Sequence, residues 1–362
     1  MFPTNYNAIL ERIDKFNPLP YAKTRNFADG AVSRLSPYIS RGVISTQQVF
    51  KRLKAKGHSF ESIEKFVQEL AWRDYWQQVW IAKGGSINND LKHPQEDVMH
   101  NDMPKALLQA STGIEVLDSA INELEETGYM HNHMRMYVAA VACNVGKAHW
   151  FVPAQWMYYH LLDADWASNA LSWQWVAGSN SNKKYIANQD NINKFFYSKQ
   201  SGTFLDTSYE EIAQMNCPDV LLETIDLNLQ SELAKPVEIQ FNYNLPTCVY
   251  NEYNLDPAWR MSEQANRVLL LEPERFAKYP MGNKTIQFAI DLAKNIQDLQ
   301  IYVGSFESLK NMLGKERIYY KEHPLNKHYQ GIEDQREWLS SVTGYYPSFF
   351  KFWNKCRKEI KY

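Results

Sequence analysis

An apolar stripe between residues 60 and 81 decides how the N-terminal half of this 362-residue chain can fold. Its apolar residues recur three and four positions apart, which is the pattern of a helix packed on one face. The stripe consists of Phe60, Ile63, Phe66, Val67, Leu70, Ala71, Tyr75 and Val79. Similar spacing predicts further helices at 46–56, 113–126, 134–145 and 153–162. The sequence therefore predicts an all-helical domain over residues 1–205.

The pattern changes after about residue 205, where Asn, Pro, Asp and Glu become frequent. Weak periodicity over 206–262 predicts a connector with one short helix at 209–214. From residue 263 onward we predict strands at 267–272, 299–303 and 317–320, a helix at 284–295 and aromatic-rich helices at 338–360. Strand, helix and strand at this spacing form a βαβ unit with parallel strands. The predicted fold is mostly α, with a small α/β domain over 263–362.

Charge and cysteine usage exclude several classes of protein. A net charge of −2 argues neither for a nucleic-acid binder nor for an acidic tail, so local charge must decide that question. The four cysteines are widely scattered without paired-ligand spacing, so we expect neither a disulfide framework nor a bound metal. The N-terminus carries charges in place of an apolar run, and no stretch reaches about 18 apolar residues. We therefore expect a cytoplasmic monomer without membrane partners.

Ser33 and Ser36 flank a predicted helix start at Pro37. The chain contains neither a GxGxxG nor a GxxxxGK[ST] motif, so a nucleotide would have to be bound in another way. Free backbone N–H groups and two hydroxyls at a helix start can bind a phosphate. An ordinary N-cap explains the same residues, and both interpretations stay open.

Three further clusters combine polar and aromatic side chains. Glu69, Trp72 and Arg73 lie within the helix at 60–81, where the four-residue spacing of Glu69 and Arg73 also fits an intrahelical ion pair. Asn132 and Arg135 are three apart and share a helix face. Residues 161–175 include Asp163, Asp165, Asn169, Trp173 and Trp175, which supply two carboxylates, an amide and two indoles. Two aspartates without further ligands are weak evidence for a metal site.

The order of these clusters resembles the FAD-binding domain of the photolyase/cryptochrome family. The matching blocks, spread over residues 21–185, are YxxxRxF, SRLSPY, ELxWR, TGI, GYMHNxxRM and LLDxDxASNxxxWQW. The resemblance implies a helical domain that holds FAD in a U shape, with the flavin at the bottom of a cavity. The cofactor-binding residues that it implies are Tyr21, Val32, Ser33, Arg34, Leu35, Ser36, Trp72, Asn132, Arg135, Asp163, Asp165 and Asn169.

The resemblance also implies individual roles. Asp163 and Asp165 would pair with donors on the flavin and adenine sides of the cofactor. Asn169 would face flavin N5, where an amide can both donate and accept a hydrogen bond. Trp173 and Trp150 match the first two members of the family's electron-transfer chain.

The implied activity is light-driven repair of cyclobutane pyrimidine dimers in UV-damaged DNA, by electron transfer from reduced flavin to a flipped-out dimer. The implied catalytic residues are Glu69, Trp72, Met136, Asn169 and Trp175. The implied DNA contacts are Arg25, Glu69, Asn132, His133, Lys183 and Lys184. Residues 21–60 carry eight Lys or Arg against one Asp, which fits either a DNA-facing rim or an ordinary solvated helix surface.

Several positions depart from the family pattern. Val32 replaces the usual Thr of the phosphate site, and His133 replaces a substrate-side Arg. The distal electron-transfer tryptophan is absent, because the corresponding segment, 97–100, is Asp-Val-Met-His. Trp76, Trp80 and Trp156 are candidate substitutes for it. These departures keep a second function open, a cryptochrome-like photoreceptor or an FAD-binding protein without repair activity.

The position of the α/β region is a further departure. The family carries an α/β antenna domain before the FAD domain, whereas this sequence places a βαβ pattern after it. We expect residues 266–320 to form a rearranged or reduced counterpart of that domain. A structural lid or interaction module is favoured over chromophore binding, and the antenna chromophore stays unassigned.

Overall fold

The chain divides into two compact units in this computed structural model, which describes residues 2–235, 238–314 and 317–360. Unit 1 comprises residues 1–19, 33–82 and 230–362, and unit 2 comprises residues 20–32 and 83–229. This division differs from the predicted domains, 1–205, 206–262 and 263–362. The reason is that helices before residue 83 share a core with the C-terminal third. The Trp80 ring, for example, lies 6.1 Å from that of Tyr279 and 5.1 Å from that of His323.

Helices dominate the first 220 residues, and most of the short strands follow residue 246. The helices are α1 (Tyr6–Lys15), α2 (Tyr21–Thr24), α3 (Ser36–Ser40), α4 (Thr46–Ala55), α5 (Phe60–Lys83), α6 (Lys105–Leu108), α7 (Glu115–Thr127), α8 (Asn132–Ala140), α9 (Phe151–His160), α10 (Trp166–Ala177), α11 (Gln189–Phe196), α12 (Tyr209–Gln214), α13 (Pro273–Lys278), α14 (Asn283–Ala293), α15 (Phe306–Leu313) and α16 (Phe349–Ile360). The strands are β1 (Met103–Pro104), β2 (Thr224–Ile225), β3 (Thr247–Tyr250), β4 (Asn266–Leu271), β5 (Leu299–Val303), β6 (Ile318–Lys321) and β7 (Ile332–Asp334). Helices account for 47% of the chain, so the prediction of a mostly α fold with a small α/β domain is supported in part.

Unit 1 contains a five-stranded parallel sheet with the strand order β5-β4-β3-β6-β7. Within the sheet, the chain enters at the central strand β3 and adds β4 and β5 on one side. It then returns to add β6 and β7 on the other side, so the sheet is doubly wound. Val249 of β3 pairs in register with Val268 of β4, and both side chains are buried in the sheet's core. The predicted βαβ unit is confirmed by β4, α14 and β5, and the predicted strand at 317–320 is confirmed by β6.

The central strand lies where the sequence predicted a connector. β3 occupies Thr247–Tyr250, inside the stretch 206–262 that was predicted to hold one short helix. That short helix is confirmed as α12, but the prediction of a plain connector is wrong. All four residues of β3 are buried, so the strand lacks the alternation of apolar and polar residues that marks a half-buried strand.

Unit 2 is built around α8, α9 and α10. The predicted helix at 134–145 is α8 followed by a π-helical turn, Val141–Val145. Asn144 in this turn donates hydrogen bonds to the carbonyl oxygens of Val176 (3.0 Å) and Tyr185 (2.7 Å). π-Helical turns are rare and occur frequently at functional sites. These bonds fix the end of α10, which carries Asn169, Trp173 and Trp175.

Among the residues that the structure describes, none of the helices combines the length and the apolar character needed to cross a bilayer.

Candidate functional site

The turn between α9 and α10 holds the two predicted aspartates. Asp165 is the N-cap of α10, and its Oδ1 accepts a hydrogen bond from the Ser168 N–H at 3.0 Å. Asp163 and Asp165 are only 6% and 5% exposed. Between them Ala164 has a φ of 27°, a value that residues other than glycine rarely adopt. Strain of this kind persists where the surrounding structure enforces it, and it often marks a functional site.

Arg135 reaches this turn from α8. Its Nη2 lies 2.9 Å from Asp163 Oδ2, and its Nε donates to the Met130 carbonyl oxygen at 2.9 Å. The Arg135 side chain is 21% exposed and that of Asp163 is 8% exposed, so the ion pair is largely removed from solvent. A charge-assisted hydrogen bond in such surroundings holds both groups in one orientation. The structure thus brings together two residues predicted from separate sequence blocks.

Asn169 lies on the first turn of α10. Its Nδ2 donates a hydrogen bond to the Ala154 carbonyl oxygen of α9 at 2.8 Å. This bond fixes the plane of the Asn169 side-chain amide. The Oδ1 atom of the same amide points away from Nδ2 and is an acceptor. The predicted role of Asn169 at flavin N5 stays a prediction.

Unit 2 also contains buried polar atoms that no protein group satisfies. Within residues 2–235, 238–314 and 317–360, Ser168 Oγ, Trp156 Nε1 and His133 Nε2 have no hydrogen-bond partner. Buried donors and acceptors are nearly always paired, so each such atom calls for a ligand, a water or a functional reason. Ser168 precedes Asn169 on α10, and Trp156 follows Ala154 on α9. These orphaned groups fit a polar ligand better than a purely structural core.

His133 lies against aromatic rings and has little access to solvent. The side chain is 8% exposed, with its ring centroid 4.8 Å from that of Phe195 and 4.7 Å from that of Tyr137. Burial, with smaller contributions from the nearby His131 and Arg25, lowers the pKa of His133 to about 4. The imidazole is therefore neutral at pH 7. A neutral, buried ring is poorly suited to the DNA contact predicted for this position.

The predicted electron-transfer tryptophans are both buried. Trp173 is 2% exposed and Trp150 is fully buried. The indole N–H of Trp150 donates to Asp90 Oδ1 at 2.8 Å. Trp175 is 38% exposed and its ring lies 5.9 Å from that of Tyr185, whereas Met136 is half-buried on α8.

The lysines predicted to contact DNA lie at the rim of a surface cleft of about 230 Å³. Lys183 is exposed, whereas Lys184 Nζ is 2.6 Å from Asp97 Oδ2. The hydrogen bond from Lys184 lowers the pKa of the Asp97 carboxyl. Asp97 is the first residue of the segment that lacks the family's distal tryptophan, and it serves here as a lysine partner. Among the other predicted DNA contacts, Arg25 is half-buried and Asn132 is exposed.

Within unit 1, Trp72 of α5 stacks on Phe349 of α16, with ring centroids 3.6 Å apart and planes at 8°. Glu69 pairs with Lys65, whose Nζ lies 3.0 Å from Glu69 Oε1. Arg73 Nη1 lies 3.7 Å from Asp74 Oδ1. The structure therefore pairs Glu69 with a lysine of the preceding turn of α5.

The predicted phosphate-binding segment contains Val32 and residues 33–36. Leu35, which is buried, is the N-cap of α3 and offers no side-chain hydrogen bond. Ser33 Oγ accepts a hydrogen bond from the Leu35 N–H at 3.4 Å, and Arg34 has a φ of 53°. Neither serine caps α3, so the ordinary N-cap interpretation is wrong. Tyr21, at the start of α2, and this segment keep their predicted cofactor role as a prediction.

Two contacts could not be predicted from the sequence. Phe349 stacks on Trp72 although the two residues are 277 positions apart, and no local sequence pattern indicates such a pair. Asp90 accepts the indole N–H of Trp150 from a loop without periodicity. Among the described residues, no group of three or more His, Cys, Asp or Glu side chains could hold a metal ion.

Known proteins resemble this chain mainly in its first two thirds. The family model for the FAD binding domain of DNA photolyase matches residues 66–256. A deoxyribodipyrimidine photo-lyase of Streptomyces griseus is 33% identical over 161 residues, which cover 44% of this chain and 35% of that protein. Cryptochrome-1 of Arabidopsis thaliana is 25% identical over 248 residues, which cover 60% of this chain and 36% of that protein.

Among solved structures, a Synechocystis cryptochrome is 24% identical with a TM-score of 0.47, covering 54% of this chain and 44% of that one. A class III photolyase from Agrobacterium tumefaciens is 24% identical with a TM-score of 0.43, covering 58% and 54%. The chain spans about a third of the length of the first two curated relatives, 35% and 36%. The family model, however, covers more than half of this chain. The chain therefore belongs to the photolyase/cryptochrome family, through an FAD-binding domain of the photolyase type, and its cofactor is FAD.

Proposed function

We propose that this protein uses FAD for light-driven repair of cyclobutane pyrimidine dimers in DNA. The observation that carries the cofactor part of this proposal is the buried Arg135–Asp163 ion pair, which adjoins the strained Ala164 turn. The names of curated relatives, deoxyribodipyrimidine photo-lyases of 32–33% identity, support the repair part.

The donor set of unit 2 suits FAD. Arg135 supplies a fixed positive charge, and Asp163 and Asp165 supply buried carboxylates that can accept from the N–H groups of a flavin or adenine. The Ser168 hydroxyl, which has no hydrogen-bond partner among the described residues, adds one further donor beside Asn169. When bound, FAD supplies the light absorption and the one-electron chemistry. The protein's part is to bind, orient and exclude water.

On the substrate side, Trp175 and Met136 offer apolar surface in unit 2. The large indole of Trp175 is 38% exposed, so one flipped-out pyrimidine can stack on it. Asn169 is held by Ala154 and can present its amide to the cofactor without reorganisation. Electrostatic groups that need no reorientation contribute most when charge develops during reaction. The roles of Glu69 and Trp72 in binding the dimer remain predictions on unit 1.

The first experiment measures FAD affinity by titration of the apoprotein. Asp163→Asn and Arg135→Met each break the largely buried Arg135–Asp163 ion pair and remove one charged group from the proposed cofactor site, so we expect at least a tenfold loss of affinity for each. Asp97→Asn is the matched control, because it makes the same chemical change at an exposed carboxylate that binds Lys184. Circular dichroism verifies that all three variants fold. Unchanged affinity in both site variants would refute the cofactor assignment.

The second experiment illuminates reduced holoprotein with an oligonucleotide that contains one thymine dimer. We expect loss of the dimer in light and none in darkness. Trp175→Ala should keep bound FAD but lower repair at least tenfold, since base stacking is worth about 1–3 kcal/mol. Persistence of the dimer while FAD is bound and reduced would rule out the repair function.

A flavin photoreceptor without repair activity is the second candidate. It is favoured by His133, which replaces a substrate-side Arg with a neutral ring that is 8% exposed. The same experiment separates the candidates, because a photoreceptor would change its flavin spectrum on illumination and leave the dimer intact.

A further inference from the structure

Helix α16 presents a row of lysines that the proposed repair chemistry does not use. Its inner face is buried and consists of Phe349, Phe352, Trp353, Cys356 and Ile360. Its outer face is exposed and consists of Phe350, Lys351, Asn354, Lys355 and Lys358. The three lysines follow an i, i+4, i+7 spacing, which places them on one side of the helix.

The positive charge of this face is not balanced within the helix. Glu359 is the only acidic residue of α16, and its carboxylate accepts hydrogen bonds from the Ser341 N–H (2.6 Å) and hydroxyl (2.8 Å). Arg357 turns toward α5, where its Nε lies 2.5 Å from Glu64 Oε1 and where Glu61 lies near enough to raise its pKa. The local excess is notable because the whole chain has a net charge of −2.

The lysine row stands on a firmly held helix. Phe349 stacks on Trp72 and Phe352 packs against Tyr75, with centroids 5.7 Å apart. The segment before α16 is also tied to α5, because Asp74 Oδ2 accepts from the Leu339 N–H at 2.8 Å. Lysines on such a helix keep their mutual spacing, unlike lysines on a loose tail.

A large aromatic ring accompanies the lysines. Phe350 directly precedes Lys351 and is 62% exposed, which is unusual for phenylalanine. Surfaces that bind nucleic acids combine positive charge along the backbone with aromatic rings on which bases stack. Phe350 thus adds an exposed ring beside the lysines on which a base could stack.

We propose that the outer face of α16 docks DNA, with Lys351, Lys355 and Lys358 contacting successive phosphates of one strand and Phe350 stacking on an unpaired base. At a rise of about 1.5 Å per residue, the three lysines span about 10 Å, which equals about three axial steps of about 3.4 Å and covers a run of about four phosphates on one strand. DNA as the partner rests on the proposed function, although this surface can be tested without any repair.

The experiment measures binding of the FAD-loaded protein to a fluorescent undamaged duplex at several salt concentrations. The slope of log K against log salt is negative for a DNA-binding protein. Changing Lys351, Lys355 and Lys358 to Gln should reduce the magnitude of this slope by about 2–3, since each phosphate contact contributes about 0.9. The matched control changes three exposed lysines elsewhere on unit 1, Lys15, Lys278 and Lys294, to Gln. Equal thermal stability and FAD content confirm that both variants are folded.

Phe350→Ala completes the design, with the same duplex carrying a two-base mismatch as a second probe. We expect at least a fivefold loss of affinity for the mismatched duplex and little change for the paired one. The proposal is overturned if the α16 triple variant keeps the wild-type slope, if the control triple lowers it equally, or if the wild type binds neither duplex. Repair with an unchanged slope would sustain the proposed function alone, and a lowered slope without repair would sustain the docking surface alone.

Discussion

At the scale of single residues, burial decides which side chains keep their ordinary chemistry. His133 is the clearest case in unit 2, because desolvation holds its pKa at about 4 in the folded chain, against about 6.5 when unfolded. Between these values the unfolded chain binds a proton that the folded chain does not. The stability from this group is therefore complete above about pH 6.5 and is lost as the pH falls toward 4.

We expect His133→Phe to remove this part of the pH dependence while keeping the ring contacts with Phe195 and Tyr137. The free energy of unfolding, measured by urea titration, should fall less between about pH 6.5 and 4.5 in the variant, with a difference of at most about 3 kcal/mol. His93→Asn is the control, because His93 is exposed. Parallel pH curves for wild type and His133→Phe would show that the imidazole titrates normally.

Individual site residues were predictable where their chemistry lies close together in the sequence. Asp163, Asp165 and Asn169 occur within seven positions, and the structure puts all three at the start of α10. Phe349 could not be predicted, because its stacking on Trp72 depends on the folded path of the intervening chain. His133 was predicted as a DNA contact from its position alone, and only packing reveals that the ring is buried.

At the scale of elements, the sequence predicted helices better than strands. The stripe at 60–81 became one helix, α5, because its periodicity is long and regular. β3 was missed because its four residues are all buried and show no alternation of apolar and polar side chains. This segment is a strand because it pairs with β4 and β6. The outer strand β7 also lacks an alternation of buried and exposed residues, because its three residues are largely exposed, and it was missed for that reason.

The turn between α3 and α4 depends on one glycine. Gly42 has a φ of 64°, and a Cβ there would lie 2.4 Å from the Tyr253 carbonyl oxygen. Gly57, after α4, has a φ of 82° and open space around it. We expect Gly57→Ala to cost about 1–2 kcal/mol from backbone strain. Gly42→Ala should cost about 1–3 kcal/mol more, because the backbone must also move.

Urea unfolding of the two glycine variants tests this difference. The change is the same at both positions, so the comparison isolates the steric contact with Tyr253. Equal destabilisation would mean that the backbone beside Tyr253 relaxes without cost.

The carboxyl ends of the strands meet at a buried ion network. Arg275 Nη1 lies 3.0 Å from Glu252 Oε2, and its Nη2 lies 2.9 Å from Glu272 Oε2, with all three side chains at most 7% exposed. Arg275→Met would leave two buried carboxylates without their cation, so we expect a loss of about 3–5 kcal/mol in stability. Arg260→Met is the comparison, because its partners Glu263 and Asp334 are more exposed and can be solvated.

Chemical denaturation of both arginine variants provides the measurement. The loss for Arg260→Met should stay below about 2 kcal/mol. A similar loss in the two variants would contradict the view that burial sets the energy of the Arg275 network.

At the scale of the whole molecule, unit 1 collects its core from both ends of the chain. Arg41 Nη1 donates to the Glu252 carbonyl oxygen at 3.2 Å, and Trp80 packs against Tyr253 with ring centroids 6.3 Å apart. The sequence predicted both the helices and the sheet, but not that helices α3–α5 share a core with the sheet. Contacts across about two hundred residues leave no local pattern from which to predict them.

A fragment of residues 1–229 should therefore fail to form the native core of α4 and α5. We expect it to keep far-UV circular dichroism typical of helices and the near-UV signals of the buried unit 2 tryptophans, but to bind the dye ANS through the uncovered apolar face of α5. The full-length protein under the same conditions is the control. A fragment that binds no dye would show that the N-terminal helices fold without the sheet.

The split core of unit 1 also has a consequence for synthesis in the cell. Helix α5 is complete at Lys83, whereas β3 begins at Thr247, so the ribosome must add more than 160 residues between them. At about 5–20 residues per second, the apolar face of α5 waits on the order of 10–30 s for its partners. During that interval Trp80 and its neighbours are exposed to chaperones, and codon usage between these two points would set how long the nascent chain stays vulnerable.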